Sequence, residues 1–302
     1  MPEPEWTVAG VLSGLGLLWG EAGVGKSFLA CSIAAAVATG RPWLGHRVTE
    51  GPVVYVAGEG GLVTVANRLD AAIGALHCCD PDEPPPPVWV VTPGVDLVRG
   101  PGELQALIAN EGVCPQLIIV DTLSRCFTGD ENKQEDMGKF VRSLDLLRDT
   151  WGGSVLVIHH ANRAGEVRGS SVLYGAVDVS LRMRAVGDEW QLVADKLRDR
   201  DVSGPAAEFR FEQRECEGVD ELGDQLTTRV VQTSAGFEAM VPEVALAMTG
   251  RGEWTYGEWR AACGQHAKGT FDRLVTSIVG DADTWGIVHE ESEGKYKWQR
   301  RA

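Results

Sequence analysis

The sequence lacks the features of a secreted, membrane-spanning or metal-clustered protein. Seven cysteines are scattered over 302 residues and none forms a C-x-x-C pair, which is typical of reduced thiols in a cytoplasm. The run His77-Cys78-Cys79 has no partner pair elsewhere, which favours a helix end over half of a metal site. The longest apolar stretch, residues 8–19, is too short to span a bilayer, and the acidic N-terminus does not resemble a signal peptide.

Positive charge is also scarce. The chain carries 28 Lys and Arg residues against 43 Asp and Glu residues, a formal net charge of −15. This balance excludes a protein whose whole surface is basic for nucleic acid, but it allows a local basic site such as the lining of a ring. The deficit is uneven, because the segment from residue 241 onward is near neutral whereas the rest is strongly acidic.

The sequence does contain a complete phosphate-loop motif, G-x-x-x-x-G-K-[ST], between an apolar run at 11–19 and an Ala-rich stretch at 28–39. This context predicts a strand, a loop and a helix. The loop N–H groups would face a phosphate at the helix N-terminus. Lys26 would place its charge on the outer phosphates, and Ser27 would offer a hydroxyl to Mg²⁺. The predicted nucleotide-binding residues are Gly20, Glu21, Ala22, Gly23, Val24, Gly25, Lys26, Ser27 and Phe28.

Short apolar runs then alternate with helical stretches, which predicts an α/β fold with a doubly wound, mostly parallel sheet. Strands are expected at 53–57, 88–91, 117–120 and 154–158, and helices at 62–76, 102–110 and 133–150. Three further strands at 179–183, 189–194 and 208–211 are expected to be antiparallel and to close one edge.

The sequence changes character near residues 236–241, which predicts two domains, 1–238 and 239–302. Helical stretches at 242–249, 255–263 and 269–279 precede two strand-like pieces at 286–290 and 295–299, joined by a turn. Three helices and a hairpin favour a small C-terminal winged helix-turn-helix. Lys295 and Lys297 on the hairpin are candidates for contacting DNA, and a role in protein contacts is the alternative.

Three predicted strands end in polar residues, where ligands bind in open α/β sheets. Asp121 is a candidate to hold Mg²⁺, and Glu59 is a candidate to take a proton from the attacking water or to orient it. His160 would contact the γ-phosphate, whereas His159 should face the other side of its strand and be buried. The alternative is that Asp121 caps a loop and Glu59 is an ordinary exposed residue.

Two basic segments are further candidates. Lys196 and Arg198 should share one face of an extended segment and could reach a neighbouring subunit's γ-phosphate as an arginine finger. Their alternative is a solvated basic run. Arg163 and Arg168 lie in the Gly- and Ser-containing segment 161–174, which either tracks a DNA backbone or is a plain surface loop.

Together these motifs resemble the RecA/DnaB/KaiC superfamily of P-loop ATPases, and within it the plasmid RepA-type hexameric replicative helicases and their phage relatives. The resemblance extends over residues 5–215 and is carried by GEAGVGKS, VVYVAGEGG, LIIVDTLSRCFTGDENKQEDMGKF, VLVIHHANRAGEVRGSSVLYGAVD and KLRDR. The run HHANR resembles S-Q-L-N-R of DnaB helicases, which places His160 where that family has a γ-phosphate sensor Gln.

The resemblance implies a RecA-like core that hydrolyses Mg-ATP, with Glu59 as the catalytic carboxylate and Lys196 and Arg198 acting in trans. It also implies a hexameric ring around single-stranded DNA in a bacterial host cytoplasm, with DNA contacted by the loops after Asp121 and His160. Two features depart from it, since the loop at 128–136 is acidic and the C-terminal tail lies outside it. The alternatives are a RecA-like recombination ATPase that forms filaments on DNA and a KaiC-like regulatory ATPase with protein partners.

Overall fold

A computed structural model describes residues 6–76, 84–92, 94–198, 205–219, 223–234, 253–255, 259, 272–276, 287–292 and 295–300. The chain divides into two compact units, Met1–Arg41 with Val48–Gln232 and Pro42–Arg47 with Thr233–Ala302. The predicted domain boundary between residues 238 and 239 lies outside the described residues, as does the run His77-Cys78-Cys79. The division into domains 1–238 and 239–302 therefore stays a prediction.

Strands and helices alternate through most of the first unit. Their order is β1 (Leu15–Gly20), α1 (Lys26–Thr39), β2 (Val53–Ala57), α2 (Gly61–Ala75), β3 (Val88–Val91), α3 (Gly102–Asn110), β4 (Leu117–Asp121), α4 (Gln134–Trp151), β5 (Ser154–His160), α5 (Ser171–Ala176), β6 (Val179–Val186), β7 (Glu189–Leu197), β8 (Pro205–Val219) and β9 (Gln225–Thr233). None of the described helices is long and apolar enough to cross a membrane.

These strands form one nine-stranded sheet in the order β3-β2-β4-β5-β1-β6-β7-β8-β9. The pairs from β3 to β6 along this order are all parallel. β7 runs antiparallel to β6, and β8 runs antiparallel to β7. This arrangement confirms the predicted α/β fold, a mostly parallel sheet with antiparallel strands on one side.

Successive residues of a strand point to opposite faces of the sheet, so these apolar strands present buried side chains on both faces. Helices cover both faces of the parallel strands. One set of strand residues, including Leu17, Val54 and Val120, packs in a single hydrophobic cluster with α3, α4 and α5. The alternate set faces α1, where the Cys31 thiol lies close to Tyr55 of β2. The sheet is therefore doubly wound, as predicted.

The structure differs from the prediction at several element ends. The strand expected over 11–19 begins only at Leu15, because residues 8–12 form a tight turn in which the Leu12 N–H donates to the Val8 carbonyl. Gly10 permits this turn with φ 73°. The short antiparallel strand expected at 208–211 is the long β8, which is followed by the unpredicted β9. Helix α5 begins inside the segment 161–174, which was expected to be a loop.

The second unit is described only in part. β10 (Glu253–Thr255), β11 (Ile287–Ser292) and β12 (Lys295–Arg300) form a three-stranded sheet in which β12 lies between the other two. β11 and β12 pair as an antiparallel hairpin, at the place expected from the sequence. Thr255 ends a strand and does not begin the helix expected at 255–263, most of which lies outside the described residues, as do 242–249 and most of 269–279. The winged helix stays a prediction.

Candidate nucleotide-binding and hydrolysis site

The phosphate loop joins the end of β1 to the first turn of α1. Gly25 precedes the helix in a left-handed conformation with φ 107°, where a side chain would be strained. A Cβ at this position would also lie 2.6 Å from the ring of Phe211. No side chain caps the helix here, so its first backbone N–H groups are available to an anion.

Lys26 holds its ammonium group inside this loop. Its side chain is almost fully buried, and its Nζ donates to the carbonyl oxygens of Gly20, at 3.0 Å, and Glu21, at 2.7 Å. Burial lowers the pKa of the Lys26 amine, and the Asp121 and Glu59 carboxylates oppose that shift. The two carboxylates therefore help to keep a positive charge at the place where phosphate would bind.

Asp121 is fully buried at the end of β4. Its Oδ2 accepts a hydrogen bond of 2.6 Å from the hydroxyl of Tyr55. Burial raises the pKa of the carboxyl group, and hydrogen bonds from Tyr55 and Ser27 oppose that shift. The carboxyl group therefore lies between a buried tyrosine on one side and the phosphate loop on the other.

The side chains around Asp121 fit a magnesium ion. Asp121 Oδ1 is a buried atom with no hydrogen bond of good geometry among the described residues, although the Ser27 hydroxyl lies close to the same carboxyl group. Mg²⁺ binds carboxylate and hydroxyl oxygens together with phosphate and water. Asp121 and Ser27 are the two residues that would hold the ion, and their role as its ligands stays a prediction.

Glu59 lies just after β2, close to the end of β4. The Gly58 N–H donates to the Asp121 carbonyl at 2.6 Å, which ties the two strand ends together. The Thr122 hydroxyl donates to Glu59 Oε1 at 3.1 Å. The Glu59 side chain remains 38% exposed, so a water molecule can reach a carboxylate whose orientation is fixed by Thr122.

His160 connects the lysine and the glutamate. Its Nδ1 lies 3.3 Å from Lys26 Nζ, and its Nε2 lies 3.7 Å from Glu59 Oε1. His159 points to the other side of β5, is buried and has its Nε2 2.9 Å from the Arg168 carbonyl oxygen. Burial lowers the pKa of His159 to about 4, so this ring is neutral near pH 7.

Lys196 and Arg198 do not join this cluster. In the sheet, Leu197 pairs with Val179, which pairs with Gly16 near the start of β1. Gly20, where the phosphate loop begins, is four residue steps beyond Gly16, about 13 Å along the strand. The two predicted finger residues therefore lie at the opposite end of the sheet from the phosphate loop of the same chain.

Both cations are held by local contacts at that opposite end. Lys196 Nζ donates to the carbonyl oxygens of Tyr174 and Gly175, each at 3.0 Å. Arg198 Nη1 lies 2.9 Å from Asp178 Oδ1, and its backbone N–H donates to the Asp178 carbonyl. The Arg198 side chain is 53% exposed, so it is anchored but accessible.

The predicted DNA-contacting residues differ in their surroundings. Residues 161–167 form a small hairpin closed by the bridge between Ala161 and Val167, and Arg163 is exposed at its turn. Arg168 instead pairs with Glu131 of the acidic loop, with Nε 3.1 Å from Oε2. Lys295 and Lys297 lie on β12 of the second unit.

The comparison with known families decides what kind of protein carries this site. The sequence pattern of the AAA domain family matches residues 1–166, more than half of the chain. The chain belongs to this family. It is a P-loop ATPase, which agrees with the loop, lysine and buried aspartate described above. Among solved structures the ATPase is similar to "ATPase Domain of G40P", with 12% sequence identity, 70% of this chain and 84% of that chain covered, and a TM-score of 0.49.

Sequence reasoning missed two residues that support the ATPase site, Tyr55 and Thr122. Tyr55 is the one polar side chain in an otherwise apolar strand, and a buried tyrosine hydroxyl needs a partner. That signal predicts a polar neighbour but not its identity. The hydroxyl of Thr122 gave no signal, because its contact with Glu59 depends on how two different strands end side by side.

Proposed function

We propose that this P-loop ATPase is a motor that hydrolyses Mg-ATP and acts on DNA, a hexameric replicative helicase of the RepA type. The observation that carries the hydrolytic part is the convergence of Lys26, Glu59, Asp121 and His160 at the ends of neighbouring parallel strands. The loop resemblance noted in the sequence supports the helicase type. The protein would work in a bacterial host cytoplasm.

The roles of the residues follow from their contacts. Lys26 would bind the outer phosphates in exchange for its present contacts with the loop carbonyls. Asp121 and Ser27 would hold Mg²⁺, which would supply positive charge near the phosphates. Glu59, oriented by Thr122, would accept a proton from the attacking water.

His160 is placed to respond to the phosphate. Its ring lies between Lys26 and Glu59, so a γ-phosphate that draws Lys26 away from the loop carbonyls would change the contacts of the histidine as well. His160 begins the hairpin segment that carries Arg163, because it ends β5. A change in the contacts of His160 on phosphate binding would therefore be passed along the backbone to the hairpin that would contact DNA.

An oligomer is supported by the position of Lys196 and Arg198. These cations lie at the end of the sheet opposite to the phosphate loop, so they can stabilise a transferring phosphate only in a neighbouring subunit. Arg198 is both accessible and anchored by Asp178, as an arginine finger acting in trans requires. A closed ring of six subunits would provide one such contact for each nucleotide.

A DNA partner is supported by the exposed hairpin at 161–167. Arg163 has no ion pair among the described residues and extends from a turn whose backbone is fixed, since Asn162 Oδ1 accepts from the N–H groups of Ala164 and Glu166. The neighbouring acidic loop at 128–136 is partly neutralised through the pair between Glu131 and Arg168. In a ring, six copies of Arg163 would line a local basic surface within an acidic protein.

The deciding experiment measures ATPase rate with and without single-stranded DNA and the mass of the assembly under the same conditions. The proposal expects DNA to stimulate hydrolysis and the mass to correspond to six subunits when Mg-ATP is present. Filaments on DNA in electron micrographs would support the RecA-like alternative. An ATPase unaffected by any nucleic acid would contradict the motor and favour a KaiC-like ATPase with protein partners.

A further inference from the structure

Tyr55 is a fully buried residue in the middle of β2, between apolar neighbours on both sides. Tyr55 lies opposite Ile119 in the neighbouring strand, and Asp121 lies opposite Ala57. Tyr55 and Asp121 are therefore diagonal neighbours on one face of the sheet. The geometry of two adjacent parallel strands brings the phenol ring to the carboxylate.

The contact between them is short and directed. The Tyr55 hydroxyl donates to Asp121 Oδ2 at 2.6 Å, a distance typical of a hydrogen bond to an ionised acceptor. The Cys31 thiol of α1 lies close to the same hydroxyl. The hydrogen bond from the phenol holds one oxygen of the carboxylate in place.

The two Asp121 oxygens are therefore not equivalent. Oδ2 is used by Tyr55, whereas Oδ1 has no hydrogen bond of good geometry among the described residues. Rotation of the carboxylate would break the bond to Tyr55, and both side chains are fully buried. An unpaired buried donor is costly. The orientation seen here is the one that keeps Oδ1 available.

We propose that Tyr55 is a positioning residue that fixes the Asp121 carboxylate so that Oδ1 is presented to Mg²⁺ together with the Ser27 hydroxyl. The inference rests on the proposed hydrolysis of Mg-ATP. Hydrogen-bond partners behind metal ligands typically change metal affinity by about 10–100-fold when they are removed. Loss of the Tyr55 hydroxyl should therefore weaken Mg²⁺ binding without lowering the affinity of the phosphate loop for the nucleotide.

The test is the binding of a fluorescent ADP to the full chain, titrated with Mg²⁺ or measured in excess EDTA. Tyr55→Phe should raise the Mg²⁺ concentration needed for half of the magnesium-dependent signal by about 10-fold or more. Nucleotide affinity in EDTA should be unchanged. Because the readout is binding, it does not depend on turnover.

Two controls separate positioning from a general loss of stability. Ser143→Ala removes another buried hydroxyl, that of a residue in α4, which donates to the Leu97 carbonyl at 2.6 Å. It should leave the Mg²⁺ titration unchanged. Cys31→Ala opens the same buried region but keeps the bond from Tyr55 to Asp121, so it should also leave the titration close to that of the unmodified protein.

The outcomes are distinguishable. If nucleotide binding by the unmodified protein does not respond to Mg²⁺, the proposed function fails at its metal site. If it responds and Tyr55→Phe titrates like Ser143→Ala, only the role of Tyr55 is overturned. Should Tyr55→Phe not fold, Tyr55→Met gives a second variant without a hydroxyl, because methionine adapts to irregular core space.

Discussion

At the carboxyl ends of β1, β2, β4 and β5, a lysine, two carboxylates and a histidine interact with one another within a single chain. At the other end of the sheet, Lys196 contacts the end of α5 and Arg198 pairs with Asp178. The first end has the groups for binding and hydrolysis, whereas the second has cations and no phosphate loop. In the proposed ring, the cations at the second end of one chain would complete the hydrolysis site of a neighbouring chain.

The largest effect is expected from Lys26→Ala, which removes the cation of the first end. Hydrolysis should be abolished and nucleotide binding weakened, because no other described residue places a positive charge inside the phosphate loop. Turnover and fluorescent nucleotide binding measure this. Wild-type turnover in the variant would contradict the assignment of the site.

The next effect is expected from Arg198→Ala, which removes a cation of the second end. Turnover should fall by about 10³–10⁵, the usual range for an arginine finger, with nucleotide binding retained. Arg184→Ala is a matched control, because this exposed arginine of β6 hydrogen-bonds Gln191 and is not a finger candidate.

Mixing two inactive variants tests whether the two ends of the sheet act together across a subunit interface. Subunits with Arg198→Ala and subunits with Lys26→Ala, each inactive alone, should recover part of the activity when combined. Some interfaces would then pair an intact phosphate loop with an intact finger. Full activity of a monomer at working concentration would rule out a finger supplied in trans.

Glu59→Gln should slow hydrolysis by at least about 10²-fold while Mg-ATP still binds, since the change removes a proton acceptor and keeps the shape. Single-turnover kinetics and nucleotide binding measure the two properties separately. Glu103→Gln, at an exposed position in the first turn of α3, is the control. Unchanged turnover would contradict a catalytic role for Glu59 and make it an ordinary loop residue.

DNA binding offers a smaller contrast, between Arg163 and Arg168. Arg163→Ala should weaken single-stranded DNA binding and lower the salt slope by about 1, as the loss of one phosphate contact does. Arg168→Ala should have less effect, because Arg168 is paired with Glu131. Equal losses at both positions would mean that the ion pair opens when DNA binds.

The last prediction concerns stability rather than activity, and it depends on the pH through His159. Its pKa is lowered to about 4 in the folded protein, against about 6.5 in the unfolded chain. The unfolded chain therefore binds the extra proton between these values, and stability falls as the pH drops from about 6.5 to about 4. The loss is at most about 3 kcal/mol. His159→Gln should flatten this part of the curve of unfolding free energy against pH.

Much of the candidate site could be predicted from the sequence because each component has a local signature. The phosphate loop is contiguous, and Asp121, Glu59 and His160 each end an apolar run that reads as a buried strand. Parallel strands bring their carboxyl ends to one edge, so these residues meet once the strands are placed correctly. The tight turn at residues 8–12 was missed because its residues are apolar, as strand residues also are.

The sequence by itself determined the phosphate loop, the alternation of strands and helices, and which polar residues stand at strand ends. Tertiary structure alone decided that Tyr55 bonds Asp121, that Thr122 orients Glu59, and that Arg198 pairs with Asp178. Each of these contacts joins residues from different elements, so it depends on strand order and register. Short-range patterns fix what an element is, but only packing fixes which of its atoms lie within hydrogen-bonding distance of another element.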